Sequence, residues 1–148
     1  MSLVLLFDLG DTLVVPRPAD GPLQRLAVLP FVPEILTRLK GTMVGGAPLR
    51  LGVISNTGTE TGDKLRSLLK DAGLLGLFET GLLFFSSVEG VDKGDKKFFE
   101  LAATRAQVTP AQCVYVSESE AERKVAASAG LLVSFHPLHV FDVIGLVP

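Results

Sequence analysis

The sequence has one cysteine among its 148 residues. No internal disulfide can form, and a reducing compartment is the expected setting. It has no basic stripe interleaved with aromatics. Lys and Arg number 14 against 16 Asp and Glu, for a formal net charge of −2, so the electrostatics that hold nucleic acid are absent. No apolar run reaches transmembrane length. No basic segment precedes the first short apolar run, so no signal peptide is expected. Internal repeats and low-complexity tracts are also lacking. These absences leave a cytoplasmic enzyme or binding domain, with neither nucleic acid nor membrane as partner.

Apolar residues, by contrast, are plentiful, at 47% of the chain. Two explanations compete. A parallel sheet covered on both faces needs continuous apolar strands, or part of the surface is buried in a homo-oligomer. The length suits one domain, residues 1–148, with a core that buries roughly 68–70% of the unfolded chain's surface.

Short apolar runs alternate with helical patterns. Leu3 to Phe7, Leu49 to Ile54, Gly81 to Phe85, Gln112 to Val116 and Leu131 to Phe135 read as strands. Pro33 to Lys40, Thr59 to Ala72, Asp95 to Ala106 and Ala121 to Ala129 read as helices, with Thr59 or Thr61 as a cap and Gly73 and Gly130 as stops. The tail from His136 holds one short helix. Residues 15–29, with Pro16, Pro18, Gly21 and Pro22, read as a loop, and Gly41 to Pro48 as a second one. This alternation predicts an α/β, Rossmann-like, doubly wound parallel sheet of about five strands.

Polar residues sit just past several strand ends. Asp8 follows the first strand, Ser55 the second and Glu118 the fourth. In a doubly wound sheet these ends share one edge, where ligands bind. Each residue alone has a plainer explanation. Asp8 and Asp11 could belong to a turn, Ser55 could start one, and Glu118, Glu120 and Glu122 could be an acidic helix start favoured by the macrodipole. Their convergence is the argument for a site. His136 and His139 lack further ligands around them and read as surface or packing residues. Cys113 lies within a strand and reads as core.

The same residues resemble the motifs of the haloacid dehalogenase-like superfamily, most of whose members are phosphatases. Asp8-Leu9-Gly10-Asp11-Thr12 resembles its first motif, D-x-D-G-T after an apolar strand. Ile54-Ser55-Asn56 resembles the second. Lys93, followed by Asp95 and Phe99, resembles the third. Ser117-Glu118, then Glu122, before a helix ending in Ala129-Gly130, resembles the fourth. The resemblance covers nearly the whole chain. Neither gap between motifs has room for the cap domain found in many members, so it implies a capless one.

That resemblance implies a hydrolase that cleaves a phosphomonoester, borne by a small molecule or a macromolecule, through an aspartyl-phosphate. Asp8 would be the nucleophile. Mg²⁺ would be held by Asp8, the Gly10 carbonyl, Glu118 and Glu122. Ser55 and Asn56 would bind phosphate oxygens, and Lys93 would supply a fixed positive charge. Thr12 would brace the loop through a side-chain hydrogen bond. Two departures stand out. The family's usual general acid lies two residues after the nucleophile, where this chain has Gly10; Asp11, one place later, is the candidate to assist catalysis by swinging inward. Such an acid is worth about 10²–10⁴ in rate, so good leaving groups are expected. Glu also replaces Asp in the fourth motif, with Ser117 where Gly is common. Mg²⁺ demands near-ideal octahedral geometry, so Mn²⁺ or Ca²⁺ could compete. An alternative function follows from the same departures: a binding or regulatory domain that kept the fold and lost turnover.

Overall fold

The computed structural model describes residues 2–18 and 23–145. In chain order the elements are β1 (Val4–Phe7), β2 (Val14–Pro18), β3 (Leu23–Val28), α1 (Val32–Lys40), β4 (Met43–Val44), β5 (Ala47–Pro48), β6 (Arg50–Ser55) and α2 (Gly62–Asp71). Then come β7 (Leu83–Phe85), α3 (Ser86–Glu89), α4 (Lys96–Arg105), β8 (Cys113–Val116), α5 (Glu120–Ser128), β9 (Leu132–Ser134) and α6 (Val140–Gly145).

The apolar runs build one five-stranded sheet in the order β7-β6-β1-β8-β9, parallel throughout. Every residue of β1 and β8 is buried. Alternation along the strands feeds two cores. Leu5, Phe7, Leu51, Val53, Val114 and Val116 pack with α1, α2 and α6 on one face. Val4, Leu6, Ile54, Cys113 and Tyr115 pack with α4 and α5 on the other. Strands covered on both faces account for the unbroken apolar runs. Chain order reverses at β1, between β6 and β8, and the loops leaving these three strands meet at one edge.

The helices have local causes. The Thr61 hydroxyl accepts from Lys64 N at 3.2 Å and so starts α2, two residues beyond Thr59. Asp95 does the same for α4, and Ser119 for α5. Gly73 (φ +77°) and Gly130 (φ +96°) follow the ends of α2 and α5 in the left-handed region that favours glycine.

The structure corrects two of the expected loops. Residues 14–18 and 23–28 pair as an antiparallel hairpin; residues 19–22, within the expected loop, lie outside those described. Prolines argue against a central strand, but both strands of a two-stranded ribbon are edges, where proline is tolerated. Gly41 to Pro48 likewise contains the β4–β5 hairpin. Gly81 to Phe85 is a strand only from Leu83; Thr80–Leu82 is a 3₁₀ turn. The short helix α3 gave no periodic signal. Among the described residues there is no cap domain. No helix there is long and apolar enough to cross a membrane.

Candidate active site

Asp8 is the first residue past β1. Its backbone N–H donates to Val116 O at 2.9 Å, extending the strand pairing with β8 by one step. Its side chain therefore emerges at the sheet edge, at 8% exposure. The turn that follows is closed by N–H groups of Thr12, Leu13 and Val14 converging on Leu9 O. Asp11 takes a positive φ of 62° there. It is exposed and off the cavity wall.

Lys93 lies in the loop before α4 and is buried, at 2% exposure. Its backbone N–H donates to Asn56 Oδ1 at 2.9 Å, tying the loop to the residue after Ser55. Its Nζ reaches Asp8 Oδ1 at 2.6 Å and Glu122 Oε1 at 3.0 Å. Lys96 and Lys97 are exposed. Of these three lysines, Lys93 alone joins the site.

The two carboxylates accept further hydrogen bonds. Leu9 N–H donates to Asp8 Oδ1 at 2.9 Å. The buried Ser117 hydroxyl donates to Asp8 Oδ2 at 3.2 Å. The Tyr115 hydroxyl donates to Glu122 Oε2 at 3.1 Å, and the Tyr115 ring lies 5.7 Å from Lys93 Nζ. Burial pushes the Asp8 carboxyl above the ordinary carboxylate range, against the pull of Lys93. Burial, reinforced by the Asp8 charge, also raises the Tyr115 phenol, which stays protonated as a donor. Two carboxylates, Asp8 buried and Glu122 half-buried, and the buried Lys93 ammonium form the charge cluster.

These groups border an open cleft of about 520 Å³. Asp8, Ser55, Lys93 and Glu122 form its polar side, with Asn56 and the turn Thr57–Glu60. Leu23 and Leu26 of the β2–β3 hairpin, with Val14 and Leu65, form an apolar wall. The hairpin is tied down where Leu23 N–H donates to Glu60 Oε1 at 3.1 Å. Glu60 is held in turn by Lys64 at 2.9 Å. The Ser55 hydroxyl has only a 3.5 Å contact to Asn56 O. At that length it remains available to a ligand.

The structure thus brings together Asp8, Gly10, Ser55, Asn56, Lys93 and Glu122 at one cleft. Glu118 stands apart. Its side chain is exposed and off the cleft wall, while its backbone N–H donates to Thr12 Oγ1 at 3.3 Å. Thr12 therefore braces the loop, as the resemblance implies. Lys93 Nζ stands between the two carboxylates of the cleft that could begin a cation's shell. Among the described residues no three His, Cys, Asp or Glu side chains gather as a cation cage. Each oxygen of Asp8 and Glu122 accepts at least one hydrogen bond or ion-pair contact.

Two residues of the cluster escaped sequence reasoning. Tyr115 is the chain's only tyrosine and shares the inward face of β8 with Cys113; its position two residues before Ser117 was the available signal. Ser117 stood out only as a replacement for glycine. Away from the cleft, His139 Nδ1 lies 2.9 Å from Ser134 Oγ and its ring stacks on Phe135. Cys113 is core, its thiol pushed up by burial to about 12.

No protein-family model matches this sequence, and no curated protein matches it. Solved structures do. An uncharacterized protein from Listeria monocytogenes serotype 4b superposes with a TM-score of 0.79 at 18% identity, covering 97% of each chain. A HAD-superfamily hydrolase, subfamily IA, variant 1, from Geobacter sulfurreducens PCA gives 0.71 at 14% identity, over 97% of this chain and all of that one. The L-2-haloacid dehalogenase from Xanthobacter autotrophicus with chloropropionic acid covalently bound gives 0.60 at 27% identity. That match covers 74% of this chain, which spans only 40% of the dehalogenase. The fold is the haloacid dehalogenase-like one, a Rossmann-like α/β parallel sheet with no cap domain among the described residues.

Proposed function

We propose that this chain, with its haloacid dehalogenase-like fold, is a hydrolase that forms a covalent intermediate on Asp8, and that it acts on a phosphomonoester with a good leaving group. The observation that carries the reading is the buried Asp8 carboxylate at the floor of an open cleft, with the Lys93 ammonium 2.6 Å away.

In the first step an Asp8 oxygen attacks phosphorus, the bond to the leaving oxygen breaks, and the leaving group departs as an anion. In the second, water attacks phosphorus, the aspartyl–phosphate bond breaks, and carboxylate and inorganic phosphate are released with a proton. Splitting one hard displacement into two easier ones is the gain. Lys93 orients Asp8 and offsets charge on the transferring group. The Ser55 hydroxyl, Asn56 and the turn after it line the same cleft, and in this reading they bind phosphoryl oxygens. With Gly10 two residues after the nucleophile, no side chain there protonates the leaving oxygen. That restricts the substrate to aryl, acyl or similarly stable leaving groups.

A second reading keeps the nucleophile and changes the electrophile to carbon, as in the dehalogenase that carries covalently bound chloropropionic acid. The observation in its favour is the charge balance: one ammonium against two carboxylates suits an electrophile less anionic than a phosphate dianion. The openness of the cleft weighs on the other side.

The test is product release by the purified chain and its Asp8→Asn variant, with p-nitrophenyl phosphate and with 2-chloropropionate, each with and without Mg²⁺. We expect phosphate release that falls at least about 10³-fold in the variant. Halide release without phosphate release selects the second reading. Neither product with any cation removes both and leaves a binding or regulatory domain.

A further inference from the structure

We propose that the Lys93 ammonium, with the Ser117 and Tyr115 hydroxyls, takes the place of a divalent cation in this site, so that the chain works with no bound metal. The inference concerns the cleft just described, and its link to turnover rests on Asp8 being the nucleophile. The binding argument itself is geometric.

A hard cation such as Mg²⁺ needs several oxygen ligands at about 2.0–2.1 Å in near-octahedral array. Asp8 and Glu122 are the carboxylates at the cleft floor that could begin such a shell. Lys93 Nζ bridges them, 2.6 Å from one and 3.0 Å from the other. A cation drawn to both would meet the ammonium already between them, and like charges at such separations repel strongly away from bulk water.

Each outer oxygen carries a donor as well. Ser117 donates to Asp8 Oδ2 and Tyr115 to Glu122 Oε2. Both hydroxyls are anchored. The Ser117 oxygen accepts from Ser119 N–H at 3.0 Å, and Arg123 holds the Ser117 carbonyl at 2.7 Å. Tyr115 is fully buried, edge-on to Phe99. Glycine at position 117 would leave Asp8 Oδ2 without this donor. The third carboxylate, Glu118, is directed to solvent from a loop fixed by Thr12. Turning it inward means remaking that loop.

The test is metal uptake, which needs no substrate. The chelator-treated chain is dialysed against Mn²⁺, with free and bound ion read by electron paramagnetic resonance, and titrated calorimetrically with Mg²⁺. The wild-type chain should show no saturable site. Lys93→Met should gain Mn²⁺ affinity by about tenfold or more, because two carboxylates then lack a cation. The Ser117→Gly, Tyr115→Phe double variant keeps both ion pairs and frees one oxygen on each carboxylate. It should gain affinity in the same direction, and it serves if Lys93→Met fails to fold. One equivalent of Mn²⁺ held by the wild-type chain and lost in Asp8→Asn would overturn the proposal. So would a folded Lys93→Met protein whose affinity is unchanged. Neither result depends on whether the chain turns over a phosphomonoester.

Discussion

At the scale of single residues, the Asp8–Lys93–Glu122 contact gathers two carboxylates around one buried ammonium. Taking charges out of water is repaid only when their geometry and hydrogen bonds are good. Here the carboxylates outnumber the ammonium, and burial still holds the Asp8 carboxyl above its ordinary range. A raised carboxyl pKa means that the folded state binds a proton more readily than the unfolded chain. The associated stability is fully present below the unfolded pKa and is lost as the pH rises through the raised folded value. Lys93→Met should therefore destabilise the chain by about 3–5 kcal/mol at neutral pH. Part of that loss should return on acidification toward the carboxylate range, as Asp8 takes up a proton. Urea unfolding of both proteins across that range measures it; an equal loss at every pH would contradict the assignment. Much of this was legible in the sequence. Asp8 and Ser55 end apolar runs, and Lys93 precedes a helix capped by Asp95. Which residue of Ser117-Glu118 turns inward was not, because adjacent positions point to different sides. Tyr115 carried only the weak signal of its place two residues before Ser117, since its partner Glu122 sits on the next helix.

At the scale of elements, the β2–β3 hairpin forms the apolar wall of the cleft. Prolines within it read as a loop, since a sequence carries no mark that a ribbon will stand outside the main sheet with two free edges. The strands of the main sheet were legible because burial on both faces leaves unbroken apolar runs. The 3₁₀ turn before β7 was not, since three residues offer too short a pattern. Leu23 and Leu26 face the cleft from the hairpin, where they would meet the organic part of a substrate rather than the reacting bond. Truncating Leu23 removes binding common to ground and transition states. Leu23→Ala should raise KM for an aryl phosphate by about tenfold with kcat nearly unchanged. Steady-state kinetics decide it; a fall in kcat with KM constant would place the hairpin in the chemistry instead.

At the scale of the whole molecule, the topology creates the site. Asp8, Ser55, Lys93 and Glu122 are spread along most of the chain. They meet because β6, β1 and β8 are parallel neighbours that end at one edge. The loop carrying Lys93 is pinned across that edge by Asn56. The net charge of −2 draws no anion from a distance, so recognition rests on the cleft itself. The measurement that bears most directly on this account is mass spectrometry of an acid-quenched single turnover with p-nitrophenyl phosphate, followed by peptide mapping. A phosphoryl group on the peptide containing Asp8, absent from the Asp8→Asn protein, is the predicted result. Turnover that proceeds with no adduct on that peptide, and persists in Asp8→Asn, would contradict it.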